Sequence, residues 1–179
     1  MIRLFAAFLV ICTPCIALSG GEVGNGGQQV ALDFVTHGFT AVGLIEREFH
    51  AGSTSCKSGP YQDLCSLELE RVRNAVRFAK VVSLPEVTQI EPGSGRALLY
   101  VALNFPQDQR ILVSETEWRK PELCYVRKLP LALHEYLGLM GIEIQNYRFS
   151  SLFAEWLIKT TDKDKFQGCP ELFSEGEWQ

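Results

Sequence analysis

Between residues 28 and 50 the apolar positions Val30, Phe34, Val42, Ile45 and Phe49 recur at helical spacing, which predicts an opening helix. The same period returns in Leu69, Val72, Val76 and Ala79 and predicts a second helix from 63 to about 80. Its Glu68, Glu70, Arg71, Arg73 and Arg77 form a solvated face with intrahelical pairs. Val81, Val82 and Val87 flank Pro85 and predict a short extended segment. Two β-rich runs, 96–104 and 110–113, lie either side of Phe105-Pro106-Gln107-Asp108-Gln109 and predict an antiparallel hairpin. Ser114-Glu115-Thr116-Glu117 has the pattern of a capping box and predicts a helical turn through Trp118. Leu152, Phe153, Trp156 and Leu157 predict a last helix to about Thr160, capped by Ser150 or Ser151. The expected fold is α+β: one domain, three or four helices packed on a small, mainly antiparallel sheet.

One stretch breaks the alternation. Residues 129–141 are apolar on nearly every helical face, yet carry the adjacent His134 and Glu135. Pro130 suits a first helical position, where its missing N–H would be unpaired anyway, and Gly141 suits a left-handed residue just past the end. A helix apolar all round is buried. An unpaired polar group there costs roughly 2–7 kcal/mol, so the pair has partners or sits at an opening. Arg148 and Arg127 are the expected partners of Glu135. Gly138 also needs a reason, because a helix-interior glycine is worse than alanine by roughly 0.8–1 kcal/mol. Close approach of a neighbouring backbone, or room for a large side chain, supplies one; a ligand-accepting gap is the alternative.

The run from His134 resembles the active helix of the zincin metallopeptidases, the metzincin branch in particular. Their H-E-x-x-H motif places two metal ligands one turn apart, with a third His following a Gly, and the Glu acts as base on metal-bound water. The matching positions are His134 as first ligand, Glu135 as base and Gly141 as the turn glycine. The second-ligand position is Gly138 and the third is Ile144. A catalytic zinc needs three protein ligands and one open site, so the resemblance implies a minimal zincin-like core without the activity. The Gly24-Asn25-Gly26-Gly27 segment and the run from His134 to Glu143 further resemble secreted proteins of predatory bacteria, a resemblance that brings no activity with it.

Composition sets the address. Residues 1–19 read as a secretory signal peptide: Arg3 is the positive n-region, 4–18 the apolar run, and Ala17-Leu18-Ser19 the cleavage site before Gly20. Residues 20–27 are a Gly-rich leader, 28–179 the globular domain, and a tail begins at about 161 whose Phe173 and Trp178 either dock on the domain or mark a contact surface. No later stretch is long enough to cross a membrane, so the expected location is secreted or periplasmic. Removing the signal takes away one basic residue and no acidic one, so the net charge of −4 becomes −5. That argues against a nucleic-acid partner, which would need a basic face. Four cysteines remain, Cys56, Cys65, Cys124 and Cys169, and without a C-x-x-C pair they read as two disulfides. Of three pairings, Cys56–Cys65 with Cys124–Cys169 is the most economical. His37 and His50 are thirteen residues apart on different faces and make poor joint ligands, whereas Glu46 and His50 form an ordinary i,i+4 pair.

Two function classes follow. The first is a non-catalytic exported domain whose pseudo-zincin helix serves packing or the binding of a protein or ligand partner, with no cofactor. The second is a zinc-dependent hydrolase with a site rebuilt around His134 and Glu135, with His134 and Glu143 as metal ligands. Glu143 stands nine residues after His134, about half a turn out of phase on a continuous helix, and reaches it only if the chain turns sharply at Gly141.

Overall fold

The opening apolar stripe forms α1, Gly27–Phe49, which buries Val30, Phe34, Ala41, Val42, Ile45 and Phe49. The computed structural model describes residues 27–49, 53, 56, 59–91, 93–144, 146–160 and 169. The signal peptide, the leader up to Gly26, His50, Phe173 and Trp178 lie outside the described residues.

The predicted second helix is two elements. A 3-10 turn, Gln62–Ser66, is followed by α2, Leu69–Phe78, with Leu67 extended between them. Three local features break the helix: Cys65 is bonded to Cys56, Ser66 Oγ donates to Asp63 O, and Leu67 turns into the core. Arg73 on α2 donates to Glu46 Oε2 at 2.7 Å, giving Glu46 a partner across helices.

Lys80–Leu84 (β1) and Val87–Ile90 (β2) are separated at Pro85. The β-rich run after them divides at Val101 into Ala97–Tyr100 (β3) and Ala102–Phe105 (β4), and Arg110–Ser114 is β5. β4 and β5 make the predicted antiparallel hairpin, Ala102 opposite Val113 and Phe105 opposite Arg110. β3 pairs instead with β2 as a separate antiparallel ribbon, Val87 opposite Tyr100. β1 joins β5 in parallel, so the three-stranded sheet runs β1-β5-β4 with β5 central. Ile111 and Val113 of β5 are fully buried.

Ser114 caps α3, Glu115–Trp118, by accepting from Glu117 N at 3.3 Å, half of the predicted box. Trp118 Nε1 donates to Asp33 Oδ2 at 2.7 Å, and Lys128 Nζ reaches the same oxygen at 3.4 Å, which ties α1, α3 and the next helix together. That helix, α4 (Tyr125–Leu139), starts earlier than expected: Cys124 is its N-cap and Pro130 sits inside it. Pro130 removes the backbone bond to Val126 O and crowds that carbonyl, in the second turn of the helix. The last helix is α5, Arg148–Thr160.

α4 lies at the centre, packed on α1, α5, α2 and β4, with Leu129, Ala132, Leu133, Tyr136 and Leu137 at or near zero exposure. Each of the leucines contributes roughly 1.5–3 kcal/mol on burial. α1 approaches α4 at Gly38, where a Cβ would press into the Tyr136 ring, 3.1 Å from its Cδ2 and closer to Cε2. Cys56–Cys65 and Cys124–Cys169, with Cα separations of 5.8 and 5.6 Å, are disulfides. The second holds Cys169 against the N-cap of α4. Among the described residues no helix is long and apolar enough to cross a membrane.

Candidate functional site: the buried His134–Glu135 pair

α4 ends in a turn that decides the site. Ile142 N donates to Leu137 O at 2.9 Å and Gly141 N to Gly138 O at 3.0 Å, the Schellman arrangement, with Gly141 at φ 72°. The chain reverses there, and Glu143 comes back onto the helix it has just left. Its Oε2 accepts from His134 Nδ1 at 2.9 Å. Its Oε1 accepts from the backbone N–H groups of Phe149 and, at 3.0 Å, Ser150. A single, fully buried carboxylate therefore orients the imidazole and caps α5. Ser150 and Ser151 do not supply that cap; Ser150 lies inside α5 as a donor to Glu143.

A carboxylate accepts and cannot donate, so Nδ1 carries the proton and, in the neutral ring, Nε2 keeps the lone pair. Tyr147 stacks on the imidazole, ring centroids 4.1 Å apart and planes 21° off parallel, while 58% exposed itself. His134 is 7% exposed.

Glu135, 5% exposed, has a different partner from the two arginines expected. Asn104 on β4 donates from Nδ2 to Glu135 Oε2 at 2.7 Å. Arg148 instead pairs with Asp63 in the 3-10 turn, at 2.9 and 2.7 Å, and Arg127 Nε is buried without a partner. Gly138 explains the substitution. A Cβ there would stand 2.8 Å from Asn104 Cγ and closer to Nδ2, so the glycine makes the room Asn104 occupies. Burial raises the Glu135 pKa, against the lowering effects of the Asn104 hydrogen bond and of His134. The Tyr147 pKa is raised too, first by burial and then by the negative Glu135 and Glu143 and by Tyr100.

The residues expected at the site, His134, Glu135 and Glu143, converge here. His37 lies elsewhere, donating to Asp33 O at 2.7 Å and edge-on to Trp118. Asn104 and Tyr147 escaped sequence reasoning; the one signal for Asn104 was the demand for room at Gly138. His134 Nε2 and Glu135 Oε1 have no hydrogen-bond partner among the described residues. The fully enclosed unpartnered atoms among the described residues are His37 Nε2, Arg110 Nε, Arg127 Nε and Tyr136 OH. As a metal centre the donor set is thin, because both Glu143 oxygens are engaged. Among the described residues no group of three or more His, Cys, Asp or Glu is placed to hold a metal ion. No protein-family model, curated protein or solved structure matches the chain.

Proposed function

We propose that this protein is an exported, disulfide-stapled, non-catalytic domain in which a pseudo-zincin helix serves packing and ligand binding. The observation that carries the reading is Asn104 in the space left by Gly138. The position one turn after His134, where the resemblance puts the second metal ligand, is filled by a neighbouring strand's amide that holds Glu135. Glu143 is likewise committed, to His134 and to the start of α5. Export is supported by the N-terminal signal pattern and by two disulfides, which persist in oxidising compartments. The test is stability and activity together. Glu135→Gln keeps the shape and the Asn104 contact and should melt no lower than wild type, whereas Glu135→Ala and His134→Ala strand a buried partner and should each lose roughly 1–3 kcal/mol. No variant, and not the wild type, should hydrolyse casein with or without added zinc.

A second reading, a metal-dependent hydrolase rebuilt around His134 and Glu135, is favoured by one observation: Glu143 engages His134 through Nδ1 and so leaves Nε2 as the ring nitrogen for a ligand. Under it, Glu143 orients the imidazole instead of binding metal, and Glu135 takes a proton from water. Zinc-dependent casein hydrolysis lost in Glu135→Gln, with folding intact, would replace the first reading by the second.

A further inference from the structure

We infer that the cleft between α2, the C-terminal end of α4 and the turn before β5 is a binding site for a small organic carboxylate with an apolar, ring-sized body. The inference goes beyond the reading above: the cleft shares no residue with the His134–Glu135 pair, and its role is the same under either account of that pair. Its volume is about 320 Å³. The walls are Arg71, Asn74, Ala75 and Phe78 from α2, Met140 at the C-cap of α4, and Gln109 at the turn. The four α2 residues follow the i, i+3, i+4, i+7 spacing of one helical face. A cavity of roughly 150 Å³ takes a benzene ring, so this one has room for a ring and a short polar head. Gln109 stands at φ 47°, the one positive φ outside glycine among the described residues. Its N and Nε2 both donate to Pro106 O, at 3.3 and 2.8 Å, and its O accepts from Lys80 N at 2.9 Å. The surrounding bonds hold that left-handed residue in place, so the wall is preformed.

The lining selects the ligand. Ala75, Phe78 and Met140 offer apolar surface, and Phe78 is 74% exposed, which leaves a ring for an apolar body to cover. Arg71 is the one charged residue in the lining, and among the described residues no carboxylate lines the cleft. A guanidinium only donates, and it matches a carboxylate through two parallel bonds. Arg71 does meet Glu68 at 3.1 Å, but the two side chains are 60% and 65% exposed, and such a pair is worth little and exchanges partners readily. Asn74, exposed on the same wall, adds amide N–H donors. A cationic ligand would face Arg71 with no compensating charge in the lining. The volume lies at the low end for small-molecule sites, roughly 300–1,000 Å³, which suits one compact body.

Methionine occurs only at positions 1 and 140, so methyl-¹³C-methionine labelling of the full chain puts a reporter in the cleft wall, assigned through Met140→Leu. The probes are 3-phenylpropionate, 3-phenylpropan-1-ol, 3-phenylpropylammonium, acetate and a peptide of residues 170–179. A saturable shift of the Met140 methyl is expected with 3-phenylpropionate. Binding should be about three- to fivefold weaker with the alcohol, the scale of one exposed charge pair, weaker still with the ammonium, and absent with acetate. Raising the salt should narrow the gap between carboxylate and alcohol. Arg71→Gln and Phe78→Ala change exposed side chains and are checked by thermal melting to be folded. The first should bring the carboxylate down to the level of the alcohol and leave the alcohol unchanged; the second should weaken both. No saturable response to 3-phenylpropionate, or one matched by the ammonium or by acetate, overturns the inference. So does a carboxylate preference that survives Arg71→Gln, or binding undiminished in Phe78→Ala. A stronger, mutually exclusive response to the peptide overturns it in favour of the chain's own C-terminal segment.

Discussion

Replacing Gly138 by alanine sets two opposed effects against each other. Alanine is the better helix former by roughly 1 kcal/mol. Its Cβ, however, would stand 2.8 Å from Asn104 Cγ, and no rotation about the amide alone clears that atom. The side chain must swing at χ1, which breaks its 2.7 Å bond to Glu135 Oε2. Leaving a buried carboxyl group unsatisfied costs roughly 1–3 kcal/mol, and the crowding of β4 against α4 adds to that. The net expectation is destabilisation by about 1–2 kcal/mol, a fall of about 2–8 °C in Tm for a chain of this size. The sign should reverse in an Asn104→Ala background, where the clash is gone and only propensity remains, so that Gly138→Ala gains about 1 kcal/mol. A double-mutant cycle by urea melts with shared m-values reads the coupling directly. A gain from Gly138→Ala in the wild-type background, or a coupling near zero, would refute the claim that the glycine exists for Asn104.

Three further outcomes follow from the same packing. Burial raises the Glu135 pKa, so its contribution is full below about pH 4.3, where the unfolded carboxyl titrates, and is lost as pH rises through the higher folded value. The Tm of Glu135→Gln minus that of wild type should therefore grow with pH across that window and then level; a flat difference contradicts it. Tyr136 OH is enclosed without a partner, and burial raises its pKa, so Tyr136→Phe should raise stability by up to about 1 kcal/mol, and a clear loss in the melt would show an unseen partner. The two disulfides close loops with sequence separations of 9 and 45 residues, which in the chain-entropy model are worth about 2.5 and 4 kcal/mol. Paired Cys→Ser variants should rank in that order, and the reverse order in thermal melts would contradict it.

Local patterns were legible in the chain. The 3.6-residue recurrence of Val30 to Phe49 gave α1, Ser114 and Glu117 gave the cap of α3, and Gly141 gave the left-handed turn. These depend on neighbours within a turn or two. The cysteine pairing followed from taking the most economical of the three connectivities. What needed distant partners was hidden. Residues 96–104 have one β-rich character throughout, and only the competing strands β2 and β5 divide them at Val101. β1 carries nothing that announces a parallel neighbour thirty residues on. The site was half visible for the same reason. Glu143 could be placed near His134 once Gly141 was taken as a sharp turn, and it arrives there. Asn104 comes from a strand thirty-one residues before Glu135, and charge alone pointed to Arg127 and Arg148 instead. Pro130 suggested a helix start because that is where proline costs least; α4 carries it in its second turn instead, where the packing of the helix on its neighbours outweighs local propensity.

The central claim is that the His134–Glu135 pair is a satisfied polar element of the fold and not the remnant of a working metal site. Thermal melting of the mature protein and of His134→Ala, each with one equivalent of zinc and with excess chelator, tests it most directly. The account predicts a wild-type Tm that neither zinc nor chelator moves, and a lower Tm for His134→Ala that is equally indifferent to both, because what is lost is the hydrogen bond to Glu143. Stoichiometric zinc that raises the wild-type Tm, is stripped by chelator, and has no effect on His134→Ala would contradict it.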